Sequence, residues 1–207
     1  MLRDLHGLYA ITDNKLIKAE RLIDSVEQAI IGGAKIIQYR DKSNVFEQAQ
    51  ALRSLCQKYK IPLIINDNIR IAQQVGADGV HIGKDDAKLE AARALLGDEA
   101  IIGVSCYNQL SLAQEAVNAG ANYVAFGRFF NSRTKPQAVS CSVEVLHKAR
   151  QTLSCPIVAI GGITPDNGAQ LIAAGADCLA VIHGLFGQAD ITAAAQAYTQ
   201  LFHKENI

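Results

Sequence analysis

The sequence has no net charge: 20 lysines and arginines face 20 aspartates and glutamates. A balanced chain has no positive field to draw in nucleic acid or an anionic membrane surface, so neither partner is expected. No apolar run approaches the roughly 18 residues that a membrane span requires. The opening Met-Leu-Arg-Asp-Leu-His is broken early by charged and polar residues, unlike a signal peptide. No CxxC pair occurs, and the cysteines are five in number, at 56, 106, 141, 155 and 178. An odd count without paired spacing excludes a disulfide framework and zinc-ribbon spacing, and it predicts a reducing, cytoplasmic location. No linker or low-complexity stretch interrupts residues 1–207, which predicts a single catalytic domain.

Apolar residues make up 49% of the chain, enough for a sizeable core. Short β-rich runs alternate with segments of helical periodicity. The predicted strands are Leu8–Ile11, Lys35–Arg40, Pro62–Ile65, Gly79–Ile82, Ile101–Ser105, Tyr123–Gly127, Pro156–Ile160 and Cys178–Ile182. Between them, sets such as Leu22, Val26, Ala29 and Ile30 recur at helix spacing. Eight β-α units in this length predict an α/β fold, the closed (β/α)8 TIM barrel. An open doubly wound sheet is the competitor, but no GxGxxG follows the first strand. Gly33-Ala34-Lys35, Gly76-Ala77-Asp78, Gly120-Ala121-Asn122 and Gly175-Ala176-Asp177 each precede an even-numbered strand. This suggests a fourfold (βα)2 repeat, with the glycine at a left-handed helix end.

A TIM barrel carries its chemistry at the C-terminal ends of its strands. The second strand ends in Gln38-Tyr39-Arg40-Asp41-Lys42. Period-two alternation puts Gln38, Arg40 and Lys42 on the inner face and Tyr39 towards the helices. Two cations there call for anionic partners, unless Arg40 and Lys42 already lie past the strand in solvent. The third strand breaks from Leu63-Ile64-Ile65 into Asn66-Asp67, and the loop after the fourth holds Asp86. Each aspartate alone suits a helix cap; together they suit one hard cation such as magnesium. Ser105 ends the fifth strand, and Cys106 reads as packing. The loop after the sixth strand carries Ser132, Thr134, Lys135 and Pro136. Gly161-Gly162 and Ile182-His183-Gly184 follow the last two strands, where barrels commonly bind phosphate through backbone amides. Thr164 and Pro165 read as the cap and first residue of a helix. His81 is predicted to be structural, inside the barrel.

The combination resembles the thiamine phosphate synthase family. It rests on Gly7–Asp13, Gln38–Lys42, Ile64–Asp67, Gly76–Gly83, Gly103–Ser105, Thr134–Pro136 and Ala159–Thr164, spread over nearly the whole chain. The resemblance implies a transferase that joins a hydroxymethylpyrimidine diphosphate to a thiazole phosphate, or its carboxylated form, releasing diphosphate. It assigns Gln38, Arg40, Lys42, Asn66, Ser105 and Lys135 to the pyrimidine diphosphate, with Arg40, Lys42, Ser105 and Lys135 acting in catalysis. It assigns Asp67 and Asp86 to one magnesium ion, and Ser132, Thr134, Gly162, Ile182 and His183 to the thiazole phosphate. The family often has threonine where Ser132 stands and serine where His183 stands. The implied partners are small molecules, and a homo-oligomer is compatible with the sequence. A dissociative, carbocation-like step is expected, with no protein nucleophile. A thiazole tautomerase and a non-catalytic metabolite sensor are the rival readings. A tautomerase would not need Arg40, Lys42, Asp67, Asp86 and Lys135.

Overall fold

The computed structural model describes residues 5–43, 45–83, 89–131 and 139–203. The strands are β1 (Gly7–Ile11), β2 (Ile36–Tyr39), β3 (Leu63–Asn66), β4 (Gly79–Ile82), β5 (Ile101–Tyr107), β6 (Tyr123–Gly127), β7 (Ile157–Ile160) and β8 (Cys178–Val181). Among the described residues the helices are α1 (Leu22–Ile31), α2 (Phe46–Tyr59), α3 (Ile69–Val75), α4 (Leu89–Leu96), α5 (Leu110–Asn118), α6 (Val143–Thr152), α7 (Pro165–Ala173), α8 (His183–Phe186) and α9 (Ile191–Thr199). All eight strands run parallel in sequence order, and β1 pairs with β8 to close the barrel. The closed sheet leaves no exposed edge. It is the predicted fold, with strand ends displaced by up to two residues. No described helix is long and apolar enough to cross a membrane.

Alternation along the strands divides the apolar residues into two cores. Leu8, Ala10, Ile37, Tyr39, Leu63 and Ile65 pack between sheet and helices. Tyr9, Ile11, Ile36, Ile64, Tyr123 and Val158 fill the barrel interior. Tyr39 turns outward as the period of two requires, and its hydroxyl donates to Gln48 Oε1 on α2 at 2.9 Å. Gly103 in β5 explains how a tyrosine ring reaches the barrel centre, because any Cβ there would overlap the Tyr123 ring.

The repeat has a structural meaning beyond the glycines. Gly33, Gly76, Gly120 and Gly175 all take positive φ, at 105°, 63°, 93° and 110°. In three copies the residue two places on reaches back to the preceding strand. Asp78 accepts from the Leu63 backbone N–H at 2.8 Å, Asn122 from Ile102 at 2.7 Å and Asp177 from Ile157 at 2.7 Å. Each also holds an arginine of the outer helices: Arg53, Arg93 or Arg150. The fourth copy has Lys35, which cannot accept a hydrogen bond, and the device is lost there. Asp177→Ala removes an ion pair and strands a backbone donor. We expect it to cost about 2 kcal/mol, lowering Tm by roughly 4–8 °C, as read by calorimetry with Lys35→Ala as the near-neutral control.

All five cysteines are buried and free. Burial pushes the thiols of Cys56 and Cys106 up to about 12. Folded thiols therefore stay protonated where the unfolded chain, with thiols near its ordinary value of about 8.5, gives up protons. Above that value the unfolded state binds fewer protons, so stability falls as pH rises. The expected result is a decline in unfolding free energy between pH 8.5 and 11, shallower in a Cys56→Ala, Cys106→Ala variant, measured by urea titration.

Candidate active site

A pocket of about 450 Å³ opens over the C-terminal ends of the strands. Its wall over β2, β3 and β5 contains Gln38, Arg40, Asn66 and Ser105; its wall over β7 and β8 contains Gly162, Ile182 and His183. Seven residues predicted for two different ligands thus share one cavity. Its size falls within the usual range for small-molecule sites. Lys42 and Asp67 lie outside that lining. Asp86, Ser132, Thr134 and Lys135 fall outside the described residues.

Arg40 follows directly on β2. Its backbone N–H donates to Thr12 Oγ1 at 2.9 Å, and its Nη1 to Asp13 Oδ2 at 3.1 Å. Both charged side chains are largely buried, at 17% and 7% exposed. Arg40 is thus past the strand but not solvated. One of the anionic partners it calls for is supplied by the chain itself in Asp13. The guanidinium fork has further donors to offer an incoming anion. Lys42 is exposed and beyond the strand end, so the inner stripe predicted for β2 ends at Gln38.

Asp67 is not the cap of α3. Asn68 fills that role, its side chain accepting from the Ile71 N–H at 3.0 Å. Asp67 instead holds a left-handed φ of 65°, its N–H donating to the His81 carbonyl at 2.8 Å. Such a backbone is uncommon for a residue with a side chain and is often kept where a side chain must be aimed. Asn66 Nδ2 donates to its Oδ2. Here a hard carboxylate, relieved of capping and steadied by a neighbouring amide, stands beside the pocket-lining Asn66. That donor chemistry fits one ligand of a divalent cation. Among the described residues no cluster of three metal-ligating side chains forms.

The glycines after β7 line the pocket and also make room for a neighbouring loop. Gly161 and Gly162 have φ of 106° and 66°. A Cβ on Gly161 would strike Arg128, and one on Gly162 would strike Asn131 and Phe130. Phe129 and Phe130 donate their N–H groups to Ile160 and Gly161 carbonyls at 3.3 and 3.0 Å. The glycines therefore seat the start of the loop after β6 against the turn after β7. Thr164 and Pro165 do open α7, and Asn167 ties the turn, accepting from Thr164 N–H at 2.8 Å and donating to the Gly162 carbonyl at 3.2 Å. His183 begins the four-residue α8, one place past the predicted strand end. Its ring lies over Gly187, where an added Cβ would stand 3.0 Å from Cε1.

Five polar lining residues had no role assigned from the sequence: Tyr9, Tyr107, Arg128, Asn131 and Gln188. Arg128 matters most, because it adds a cation beside Gly161, on the wall over β7. It directly follows β6, as Arg40 follows β2, and the same rule of position could have found it. His81 is interior as predicted, yet it also lines the pocket, with Nε2 2.8 Å from Ser105 Oγ. Cys106 faces the outer core, as expected of a packing residue.

Comparison with known proteins now decides the family. The family model described as thiamine monophosphate synthase matches residues 8–185. The chain belongs to that family. It is 50% identical over 211 aligned positions to the thiamine-phosphate synthase of Nitrosococcus oceani, covering 100% of this chain and 97% of the relative. It is 52% identical to the Marinobacter nauticus thiamine-phosphate synthase, covering 97% and 92%. Among solved structures, thiamine phosphate pyrophosphorylase from Pyrococcus furiosus superposes with a TM-score of 0.88 at 32% identity, covering 100% of both chains. As a member of the thiamine monophosphate synthase family, the chain is a transferase of thiamine biosynthesis.

Proposed function

We propose that the chain condenses a hydroxymethylpyrimidine diphosphate with a thiazole phosphate, or its carboxylated form, to give thiamine phosphate and diphosphate. One observation carries the reading beyond the family: a single cavity presents Gln38, Arg40, Asn66 and Ser105 over β2–β5 and Gly162, Ile182 and His183 over β7–β8. Two substrates held over adjoining walls are brought into reach of each other, which is the main service an enzyme can render a bimolecular transfer.

Diphosphate leaves when its growing charge meets fixed donors. Arg40, locked by Asp13 and Thr12, offers such a donor without reorganising. Lys42 and Lys135 add charge to the same task. Asp67 and Asp86 would hold magnesium, which supplies further positive charge to the diphosphate oxygens. As the carbon–oxygen bond breaks, the aminopyrimidine delocalises positive charge from its exocyclic methylene, and the thiazole nitrogen captures it. Among the described lining residues there is no carboxylate, thiol or lysine amine. Ser132, Thr134, Gly162, Ile182 and His183 would hold the phosphate that stays, with Arg128 on the same side. The site works in the cytoplasm, and one magnesium ion per subunit is our expectation.

The test is incubation of purified protein with both substrates and magnesium. Thiamine phosphate and diphosphate should appear in equal amounts. Tight binding of both substrates without product would sink the reading in favour of a sensor, and conversion of the thiazole alone would favour a tautomerase. Gly162→Ala bears on the second wall. Its Cβ would collide with the backbone of residues 130 and 131 at a left-handed φ. We expect KM for thiazole phosphate to rise about tenfold, the kinetic equivalent of about 1.4 kcal/mol, with KM for the pyrimidine diphosphate changed much less.

A further inference from the structure

Five side chains from five strands form one hydrogen-bonded line through the barrel. Gln38 Nε2 donates to the Tyr9 hydroxyl at 2.8 Å. The Tyr9 and Tyr123 hydroxyls are 2.8 Å apart. Tyr123 meets His81 Nδ1 at 2.9 Å, and His81 Nε2 meets Ser105 Oγ at 2.8 Å. Both ends of the line, Gln38 and Ser105, line the pocket, whereas Tyr123 in the middle does not. Each phenol has one proton to give, so the line can point only one way at a time. The Gln38 amide N–H donates to the Tyr9 oxygen, which can accept a second bond, so the order beyond it has two forms. In the form that runs on from Gln38, the Tyr9 proton passes to Tyr123, the Tyr123 proton goes to a bare His81 Nδ1, and His81 Nε2–H donates to Ser105. The serine hydroxyl proton is left for the pocket, as is the Gln38 amide oxygen.

We propose that Tyr9, Tyr123 and His81 are positioning residues that fix the polarity of both ends, so that Ser105 faces the pocket as a donor and Gln38 as an acceptor. The inference rests on the proposed function for the identity of the ligand. It selects a heteroaromatic ring that carries an N–H donor towards Gln38 and an acceptor towards Ser105, the pattern of an aminopyrimidine. Burial makes the polarity durable. Both phenols are pushed well above their ordinary range by desolvation and remain neutral. Reversing the line would require Tyr9, Tyr123, His81 and Ser105 to exchange donor and acceptor roles together. The rings are held against that: Tyr123 stacks on His81 at 5.6 Å and meets Tyr9 edge-on at 6.0 Å.

Nitrogen-15 NMR of histidine-labelled, ligand-free protein reads the polarity directly, with the His81 signals identified by their loss in His81→Gln. The expected result is one tautomer, protonated at Nε2 and bare at Nδ1. A His81 protonated at Nδ1, or a mixture of tautomers, overturns the proposal. Tyr123→Phe cuts the line without altering the pocket lining. It should mix the His81 tautomers and raise KM for the pyrimidine diphosphate about tenfold while KM for thiazole phosphate stays constant. An unchanged tautomer, or an unchanged pyrimidine KM, also overturns it. Because the tautomer is read without substrate, failure of the synthase assay would remove the ligand assignment and leave the line to be judged separately.

Discussion

Replacing Arg40 by alanine is expected to lower kcat/KM for the pyrimidine diphosphate by a factor of about 10²–10³, the usual loss when one fixed donor to a developing anion is removed. The same change should also weaken the fold. Arg40 and Asp13 are mutually satisfied and largely buried. Removing one partner of such a pair costs about 3–5 kcal/mol, and the partial exposure of Arg40 puts the expectation at the lower end. Stability loss alone could mimic a catalytic defect, so the informative variant removes both charges. Asp13→Asn with Arg40→Met leaves no uncompensated carboxylate and should recover most of the lost stability. Turnover should not recover with it. Urea unfolding and steady-state kinetics on the two variants separate the effects. A double variant that regained both would mean that Arg40 serves the loop after β1 and not the leaving group.

The second large effect is expected at Asp67. Asp67→Asn keeps the size of the side chain and a residue type that tolerates the left-handed backbone, but removes the charge. Loss of a metal-ligating carboxylate forfeits several kcal/mol of stabilisation of the departing anion. We expect kcat/KM to fall about 10²-fold or more, with added magnesium restoring only part of it and Tm shifting by less than about 2 °C. The adjacent residue supplies the contrast. Asn68 caps α3, and Asn68→Ala should cost about 1 kcal/mol of stability while leaving turnover nearly intact. If Asp67→Asn retained full activity at limiting magnesium, the carboxylate would not be a metal ligand. If the two neighbours exchanged behaviour, the division between cap and ligand would be wrong.

Alternation and position made much of this protein legible before any coordinates. Eight β-rich runs separated by helical spacing lead to the closed barrel, because parallel strands joined by short crossovers have few other ways to bury both faces of a sheet. The period of two placed Gln38 inward and Tyr39 outward. The four Gly-Ala pairs marked left-handed helix ends, since glycine is the residue that takes that conformation without cost. The rule that chemistry lies just past each strand brought Gln38, Arg40, Asn66, Ser105, Gly162, Ile182 and His183 together, and these do line one cavity.

What the tertiary structure alone decided concerns partners far apart in sequence. Nothing local to Arg40 names Asp13, which lies 27 residues away and is joined to it only because β1 and β2 are neighbours. Nothing local to Gly161 and Gly162 says that the start of another loop fills the space above them. His81 read as a structural histidine because Tyr123 and Ser105, which its ring nitrogens meet, come from β6 and β5. Sequence periodicity reports which face a side chain occupies. Which groups meet across a closed barrel depends on register and on the room left by residues such as Gly103, and a polar group inside acquires its direction, donor or acceptor, only from the partner it meets.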